Sequence, residues 1–313
     1  MSTRSPLRLS VVVTVTSGSP YLEACLAALA QQREAPPFEI IVPVDDTLPD
    51  ATRWIESYPD VLFPRVPNAP ARTSSRTDGA RHLAYDRRRA TGLQAARAPV
   101  IALTEDHACP APDWCERIDA AHRDAPHAVI GGAIQNGNRG AVARASFCCD
   151  FGRYEAPFEG GPAEYVSDVN VSYKRAALED VAATWTNAYH ETAVHGAIAE
   201  RGGTLWLTPD IVVEQRRGPL PLNRSLAERY AWGRLYAGKR TEESSTPRRA
   251  LFALLSPALP LVLLTRHLRR GWRHKPSRTG APLPLVALLL CAWSLGECVG
   301  YWTGDPEGGR KRG

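Results

Sequence analysis

The 313-residue sequence predicts an α/β fold, in which a central, mostly parallel sheet is flanked by helices and followed by a hydrophobic, membrane-associating helical tail. Three observations lead to this prediction. Short β-branched apolar runs alternate with segments of helical periodicity, which is the βαβ rhythm of a parallel sheet. Acidic pairs follow two of these runs, and two long apolar segments lie near the C-terminus.

The first strand and helix are the clearest elements. Residues 9–15, LSVVVTV, predict a buried strand, and the helix after it carries apolar residues at Leu22, Cys25, Leu26 and Leu29. Arg4 and Arg8 precede the strand as in a signal peptide, but the β-branched run favours an opening strand and a body that stays on the cytoplasmic side. Further strands are predicted at 38–44, 98–106, 128–137 and 205–215, and helices at 51–58, 87–97, 110–124 and 191–203.

Three segments fit this rhythm less well. Pro43 lies in the second predicted strand, where it removes a ladder hydrogen bond, so we expect it at the last, unpaired position. Residues 67–80 are rich in turn-forming residues and predict a surface loop, and the region from 138 to about 164 is irregular. Residues 165–181 predict a strand or loop that leads into a helix.

Charge is distributed unevenly along the chain. The formal net charge is +5, but residues 248–313 carry 11 Lys and Arg against 3 Asp and Glu, whereas the preceding residues carry 27 against 30. A nucleic-acid-binding protein is expected to carry its basic residues on the folded body, so this pattern argues against one and favours a tail that meets an anionic membrane. Seven cysteines, an odd number, argue against a disulfide framework and suit a reducing cytoplasm.

Acidic residues follow two predicted strands. Asp45 and Asp46 end one of them, and Glu105 and Asp106 end another. In open α/β sheets ligands bind outside the carboxyl ends of the strands, so we expect a ligand site at this edge.

The segment AYHETAVHG, residues 188–196, resembles a zinc-binding helix at first sight. Zinc proteases place two histidines four residues apart with a glutamate beside the first. Here His190 and His195 are five residues apart, which separates them by about 140° around a helix. One ion cannot bind both easily, so Glu191 needs a different explanation.

The order of these motifs resembles glycosyltransferase family 2, whose members are inverting, nucleotide-sugar-dependent enzymes with the Rossmann-like GT-A fold. The resemblance covers roughly residues 9–216. It is carried by the segments VVVTVTSGSPYLEACLAAL, FEIIVPVDDTLPDAT, RATGLQAARAPVIALTEDH, VNVSYKRAAL and HETAVHGAIAERGG.

The resemblance implies roles in donor binding. Asp45, with Asp46 beside it, is expected to hold the nucleotide base, because a carboxylate accepts the N–H groups of uracil or guanine; a helix cap is the alternative. Arg89 is expected near the donor phosphates or base. Its neighbours Arg87 and Arg88 are predicted to form a solvated face.

A divalent metal, Mg²⁺ or Mn²⁺, is implied by LTED, residues 103–106, which is similar to the family's Asp-x-Asp signature. Asp106 is the expected ligand and Glu105 a helper near the ribose or ion, because a hard cation neutralises the departing diphosphate. Thr104 replaces the first aspartate of the signature.

Glu191 is implied as the catalytic base. It lies 11 residues before the helix-ending Gly202, where the family places an acidic residue that removes the acceptor hydroxyl's proton. A first-turn acid that complements the helix dipole is the alternative. His190 either tunes this carboxylate or packs, and His195 is predicted on the helix surface.

The segment SDVNVSYKR is similar to the family segment that lies by the sugar and acceptor. It implies that Asp168, Asn170 and Ser172 bind these groups, while Tyr173 alternates with them and is predicted in the core.

The C-terminal segments 250–265 and 282–304 are strongly apolar. The first has 16 residues, fewer than the roughly 20 needed to span a bilayer, and the second contains Glu297. We expect a hairpin or interfacial anchor at the cytoplasmic face, with a two-span hairpin or two buried helices of a soluble domain as alternatives.

The sequence thus predicts a catalytic domain at 1–218, a basic and aromatic linker helix at 219–248 and a membrane-associating hairpin at 249–313. The predicted function is sugar transfer from a nucleotide-diphosphate donor to a glycan or lipid-linked acceptor in cell-envelope polysaccharide or glycolipid synthesis, at the cytoplasmic face of a membrane. A sugar nucleotidyltransferase and a catalytically silent membrane-bound scaffold are the alternatives. The former is disfavoured because TVTSGSP lacks a glycine-rich, lysine-bearing loop.

Overall fold

The computed structural model describes residues 5–67, 78–241, 244–273 and 282–304. Its strands are β1 (Leu9–Thr14), β2 (Phe38–Ile41), β3 (Val100–Glu105), β4 (Ala108–Pro110), β5 (Val129–Asn136), β6 (Gly161–Pro162), β7 (Asn170–Lys174) and β8 (Leu205–Gln215). Its α-helices are α1 (Tyr21–Ala30), α2 (Ala51–Ser57), α3 (Asp78–Ala95), α4 (Trp114–Asp124), α5 (Ala141–Phe151), α6 (Arg175–Glu179), α7 (Glu191–Glu200), α8 (Leu222–Thr241), α9 (Thr246–Leu255), α10 (Leu259–Arg273) and α11 (Leu283–Thr303).

The strands form one mixed sheet in the order β2-β1-β3-β7-β5-β8-β4, with β6 paired to β8. Strands β2, β1 and β3 are parallel, whereas β7 runs antiparallel to both β3 and β5. The predicted α/β class is confirmed, and the parallel part of the sheet is the part that carries the acidic strand ends.

The hydrophobic core explains why these segments fold as they do. Every residue of β1 is buried, and α1 turns Leu22, Cys25, Leu26 and Leu29 inward, as predicted. A strand that is buried along its whole length is typical of a sheet that is covered on both faces.

Pro43 lies outside β2, which ends at Ile41. Beyond the strand, Val44 continues the pairing only as an isolated bridge to Arg65. The proline therefore costs the sheet no ladder bond, in agreement with its expected position at the end of the run.

Two other segments differ from the sequence prediction or fall beyond it. The region after 138 was expected to be irregular, but residues 141–151 form α5, which has buried residues on much of its surface. Of the predicted loop 67–80, residues 68–77 lie outside the described residues, and α3 begins at Asp78.

The chain divides into two compact units. One consists of residues 1–75, 82–135 and 158–216, and the other of 76–81, 136–157 and 217–313. Residues 136–157 thus belong with the C-terminal segments, which the sequence did not indicate. The predicted functional division at 218 and 248 stays a prediction.

In the second unit, glycines let α8 and α11 approach closely. A Cβ atom on Gly296 would lie 2.1 Å from the backbone oxygen of Tyr230, and one on Gly233 would lie 2.2 Å from that of Trp293. Because both obstructing atoms belong to the backbone, larger residues require the helices to separate.

Two stretches of this unit are long and apolar enough to cross a membrane, Thr246–Arg269 with 24 residues and Leu283–Thr303 with 21. The first was expected to be too short. The helical course continues through a 3₁₀ turn at Ser256–Ala258, so Pro257 and Pro260 do not end it.

We expect Gly296→Ala to lower the free energy of unfolding by about 1–3 kcal/mol, because the added methyl group overpacks the contact with Tyr230. The matched control is Gly196→Ala in α7, where a Cβ meets nothing within 4 Å. Relief of backbone entropy there predicts a gain of roughly 0.5–1 kcal/mol. Urea unfolding measures both, and equal effects of the two variants would contradict the close-packing argument.

Candidate active site

Asp45, which follows β2, is buried inside the protein. Asp45 accepts hydrogen bonds from Arg88 Nε at 2.7 Å and Arg88 Nη2 at 2.9 Å, and Thr47 donates to it through both its backbone N–H and its hydroxyl. Burial raises the pKa of the Asp45 carboxyl, but Arg88 and Thr47 outweigh it and hold the pKa below its ordinary value. The carboxylate stays ionised with most of its acceptor positions filled.

Arg88 corrects one sequence-based expectation. It was predicted on a solvated face, but it is 2% exposed and also donates to the backbone oxygen of Val15. Successive residues of a helix point about 100° apart, so a run of arginines does not share one environment. The sequence did contain one indication of a buried arginine, because the acid Asp45 follows a buried strand and needs a basic partner.

Asp46 points the other way. Its side chain is 73% exposed and forms an ion pair with Arg65 at 2.8 Å, where both groups face solvent. An exposed pair of this kind contributes little to stability, so Asp46 is available to an incoming ligand.

Asp106 holds the loop between β1 and α1. Its Oδ1 accepts from the backbone N–H of Thr16 at 3.1 Å and from the Thr16 hydroxyl at 2.6 Å, and its Oδ2 accepts from the N–H groups of Ser17 and Gly18 at 2.9 and 2.6 Å. The side chain is buried. This corrects the expectation of a carboxylate free to ligate a metal, because both oxygens are already used.

The residues expected at the metal site therefore do not form a set of ligands for a divalent ion in this structure. The expected helper, Glu105, pairs with Arg89, and among the described residues no cluster of three or more His, Cys, Asp or Glu side chains is arranged around a common point for an ion. Participation of a divalent metal stays a prediction from the family resemblance.

Arg89 is the centre of an acidic cluster. Its Nη2 lies 2.7 Å from both Glu105 Oε1 and Asp168 Oδ2, and its Nη1 lies 3.3 Å from Asp86 Oδ1. Burial lowers the pKa of the guanidinium, but Asp168, Glu105 and Asp86 raise it above its ordinary value. The predicted contact of Arg89 with donor phosphates stays a prediction, since carboxylates surround the guanidinium here.

Glu191 belongs to the same cluster. It is the first residue of α7 and is half-buried, and the pKa of its carboxyl is raised to about 8. Burial is the largest cause of this rise, the negative charge of Asp168 adds to it, and Arg89 opposes it. A carboxyl group of this kind exchanges its proton near neutral pH, which is the property that a general base or acid requires.

The sequence itself also matches a known protein family. A family model, Glycosyl transferase family 2, matches residues 10–181. The chain belongs to glycosyltransferase family 2. The resemblance that the motifs predicted is confirmed, and no curated protein matches the chain.

Three solved structures of S. aureus TarS are similar to the family 2 chain, each covering 74% of it. They are TarS 1-349 (16% identity, TM-score 0.47, 64% of that chain covered), TarS (15%, 0.48, 39%) and TarS 1-349 in complex with UDP-GlcNAc (14%, 0.46, 65%). The family 2 chain thus spans less than two thirds of each of these structures.

Two residues expected to bind sugar or acceptor lie inside the sheet of this family 2 protein. Asn170 accepts from the indole N–H of Trp114 and donates to the backbone oxygens of Ala133 and Ile211. Ser172 donates to the backbone oxygen of Ile130 in β5 and shares a hydrogen bond with His122 of α4. Both are 1% exposed, which corrects the expectation that they face a ligand, because their polar atoms already cross-link strands.

Aromatic residues near Glu191 form a buried network. Tyr173 is fully buried, as predicted, and its hydroxyl contacts the Tyr189 hydroxyl and lies 2.8 Å from His195 Nε2. His195 was expected on the helix surface, but it is 1% exposed, and burial lowers its pKa to about 4. Burial therefore favours the neutral form of this histidine, which packs against Tyr173.

The raised pKa of Glu191 predicts a pH-dependent stability. The folded protein binds this proton more tightly than the unfolded chain, whose glutamate has an ordinary pKa of 4.5. Ionisation therefore opposes folding, and the contribution of Glu191 makes the free energy of unfolding fall as pH rises from about 4.5 to about 8.

We expect Glu191→Gln to remove this decline, so that the variant gains stability relative to the wild type at alkaline pH and not at acidic pH. Glu200→Gln, at the exposed end of the same helix, is the control and keeps the decline. Urea unfolding across this pH range measures the difference. The same pH slope in wild type and Glu191→Gln would show that the carboxyl is not perturbed.

Proposed function

We propose that this family 2 protein transfers a sugar from a nucleotide-diphosphate donor to a glycan or lipid-linked acceptor, with inversion at the anomeric carbon. The observation that carries the proposal is the Glu191 carboxyl, which lies at the start of α7 beside Asp168 and Arg89 with a pKa near 8. Direct displacement with inversion needs one general base near the acceptor, and Glu191 has the required protonation range.

In the proposed reaction, the acceptor hydroxyl gives its proton to Glu191 as its oxygen bonds to the anomeric carbon. The bond from that carbon to the diphosphate breaks, and its electron pair leaves with the nucleoside diphosphate. Asp168 and Arg89 set the electrostatic environment of Glu191, because the salt bridge between them fixes both side chains beside the base.

For the donor, we propose that the base binds at the end of β2. Asp46 is exposed there and can accept an N–H of the base, whereas Asp45 fixes the turn through Arg88 and Thr47. Glu105 supports this edge by pairing with Arg89. The proposed mechanism assigns no step to a divalent metal, and the dependence of the reaction on Mg²⁺ or Mn²⁺ is tested by experiment.

We expect Glu191→Gln to lower the rate of transfer by about 10²–10⁴-fold while donor affinity stays within a factor of two or so, because the amide binds but cannot take a proton. Release of nucleoside diphosphate from UDP-glucose, UDP-N-acetylglucosamine, GDP-mannose and dTDP-rhamnose, with and without Mn²⁺, is the measurement. Glu200→Gln is the matched control. Near-normal turnover in Glu191→Gln would remove the assignment of the base.

The wild-type pH profile tests the same assignment. A base with a pKa of about 8 is active when ionised, so kcat/KM is expected to rise towards that pH and then level off. The donor panel also separates the alternatives, since a silent scaffold releases no nucleoside diphosphate, and a nucleotidyltransferase releases none either but, when pyrophosphate is added, converts the nucleotide sugar into a nucleoside triphosphate and a sugar 1-phosphate.

We propose further that the C-terminal unit binds the cytoplasmic face of an anionic membrane. Apolar side chains on its helices are open to solvent, including Leu254 at 77%, Leu261 at 70% and Trp302 at 78% exposure. Arg266 and Arg269 of α10 are exposed on the same unit and suit anionic headgroups. This placement would bring the enzyme to a lipid-linked acceptor.

We expect the double variant Leu254→Asp, Leu261→Asp to lose most of its binding to vesicles that contain anionic lipid, because two charges enter the apolar face. Leu62→Asp is the control, since Leu62 is also exposed but belongs to the other unit. Co-sedimentation with vesicles at low and high salt measures binding. Equal sedimentation of wild type and double variant would exclude this face as the anchor.

A further inference from the structure

The long apolar helix α11 forms the core of the C-terminal unit. Its Leu289 packs in a buried cluster with Cys148 of α5, and its Gly300 lies so close to α8 that a Cβ atom would meet the backbone oxygen of Arg234 at 2.6 Å. Partly buried Leu264 of α10 packs against the same cluster. Helices α5, α8 and α10 therefore cover α11, although its length and composition alone would allow it to cross a membrane.

Only a narrow stripe of α11 is open to solvent. Between residues 285 and 301 the exposed side chains are those of Leu288, Cys291 and Leu295, at i, i+3 and i+7, which places them on one side of the helix. The remaining side chains of this stretch are buried or partly buried. Any insertion of α11 into a bilayer would therefore have to include the helices that cover it.

Two of the covering helices carry charges beside the middle of α11. Trp293 is the middle residue of α11, and a Cβ atom on Gly233 of α8 would lie 2.2 Å from its backbone oxygen. Arg234 follows Gly233 directly, and Arg229 precedes it by four residues, which is about 6 Å along the helix axis. Arg229 is buried and paired with Asp150 of α5. Charged groups thus lie at the depth that the centre of a spanning α11 would occupy.

These charges oppose a transmembrane position of α11. In a spanning helix Trp293 would lie at the centre of the bilayer, and Arg229, Asp150 and Arg234 would lie near the same depth. Each charged side chain at that depth is strongly disfavoured, even when it is paired. Separation of α8 from α11 would not avoid this penalty, because it would leave the close backbone contact at Gly233 without a partner.

The open apolar face of the unit lies on α9 and α10. Exposed apolar side chains recur there at i, i+3, i+4, i+7, i+10 and i+11, which is the spacing of one side of a helix. These side chains, the α9–α10 face, are Leu251, Leu254, Leu255, Ala258, Leu261 and Val262. The opposite side of the same helical course is covered, since Ala253 and Ser256 are buried.

Basic residues flank the α9–α10 face at both ends. Arg248 precedes it and Arg266 follows it, and both are exposed. Apolar side chains of a surface helix enter the acyl chains just below the headgroups, while long arginine side chains reach anionic headgroups of the same leaflet. The charge of the region agrees, since residues 248–313 carry 11 Lys and Arg against 3 Asp and Glu. The face therefore fits one leaflet of an anionic bilayer.

We propose that the C-terminal unit binds the bilayer from one side only. The α9–α10 face enters one leaflet, and neither the stretch Thr246–Arg269 nor α11 crosses the membrane. This inference rests on the proposed membrane binding and specifies its topology. Both ends of Thr246–Arg269 then stay on the cytoplasmic side, as do both ends of α11. The role of α11 is to hold the unit together and not to anchor it across the bilayer.

Cysteine labelling from each side of a membrane tests this topology. Thr246→Cys and Thr265→Cys place thiols at exposed positions 19 residues apart, which is about 28 Å along a helix and close to the thickness of the hydrocarbon core. Cys291→Ser removes the exposed native thiol and is the background for both. With the full chain in a bacterial host, we expect a membrane-impermeant maleimide to label both positions in inside-out vesicles and neither in intact spheroplasts.

Glu200→Cys in the same background is the matched control for the cytoplasmic side, because Glu200 is exposed at the end of α7 in the other unit. The background variant without an added cysteine measures labelling of the remaining native thiols. A spanning helix gives a different pattern, in which one of the two ends is labelled together with Glu200→Cys and the other only from the opposite side. That pattern would overturn the proposal.

The depth of the α9–α10 face gives a second readout, on purified protein bound to vesicles of phosphatidylglycerol and phosphatidylethanolamine. A bimane fluorophore on Leu254→Cys or Leu261→Cys is expected to be quenched more by lipids brominated near the headgroup than by lipids brominated near the end of the acyl chain, because the face lies shallow. Leu62→Cys, on the other unit, is the control and stays unquenched. Strongest quenching by bromine at the bilayer centre would contradict a one-sided position.

The proposed membrane binding and the one-sided topology are distinguished by their failures. A wild-type protein that stays in the supernatant with these vesicles, and in the soluble fraction of the host, does not bind membranes, and both proposals are then wrong. Membrane binding with labelling of the two ends from opposite sides leaves the binding intact and overturns the topology alone.

Discussion

Two consecutive arginines of α3 hold together the edge of the sheet at which the acidic residues lie. Arg88 closes the end of β2 through Asp45 and reaches the backbone of Val15 after β1, whereas Arg89 joins the end of β3 to Asp168 before β7. Removal of one partner from a buried ion pair leaves an uncompensated charge and is strongly destabilising. The position of α3 is therefore fixed by electrostatics as well as by its apolar face.

The same arrangement determines the chemistry of Glu191. The cluster contains more carboxyl groups than guanidinium groups, and the fully buried phenols of Tyr173 and Tyr189 lie close enough to Glu191 and Asp168 to interact with them electrostatically. The last carboxylate to ionise in such a place is the one with the least compensation. Arg89 makes close contacts with Asp168 and Glu105, which leaves Glu191 with the raised pKa. The strength of the base thus follows first from the burial of the Glu191 carboxyl and then from the excess of negative charge around it.

Local patterns in the sequence predicted the longer strands of the sheet, but not the short strands β4 and β6 and not the side-chain environments. The apolar runs predicted β1 and β3, and the acids after the strands predicted the edge of the site, because both depend on short-range periodicity. Asn170 was misplaced because a short polar residue on a strand has the same pattern whether it binds a ligand or cross-links strands. His195 was misplaced because burial of a helix face depends on partners far away in the sequence, here Tyr173.

The loop between β1 and α1 has a consequence for how the donor's negative charge is met. The three amides of residues 16–18 all point at one internal carboxylate, that of Asp106. In many nucleotide-binding proteins, amides in such a loop embrace a phosphate. Here these amides already donate to a carboxylate of the protein itself. The negative charge of a diphosphate must therefore be neutralised by cations elsewhere on the protein or by ions bound to the diphosphate.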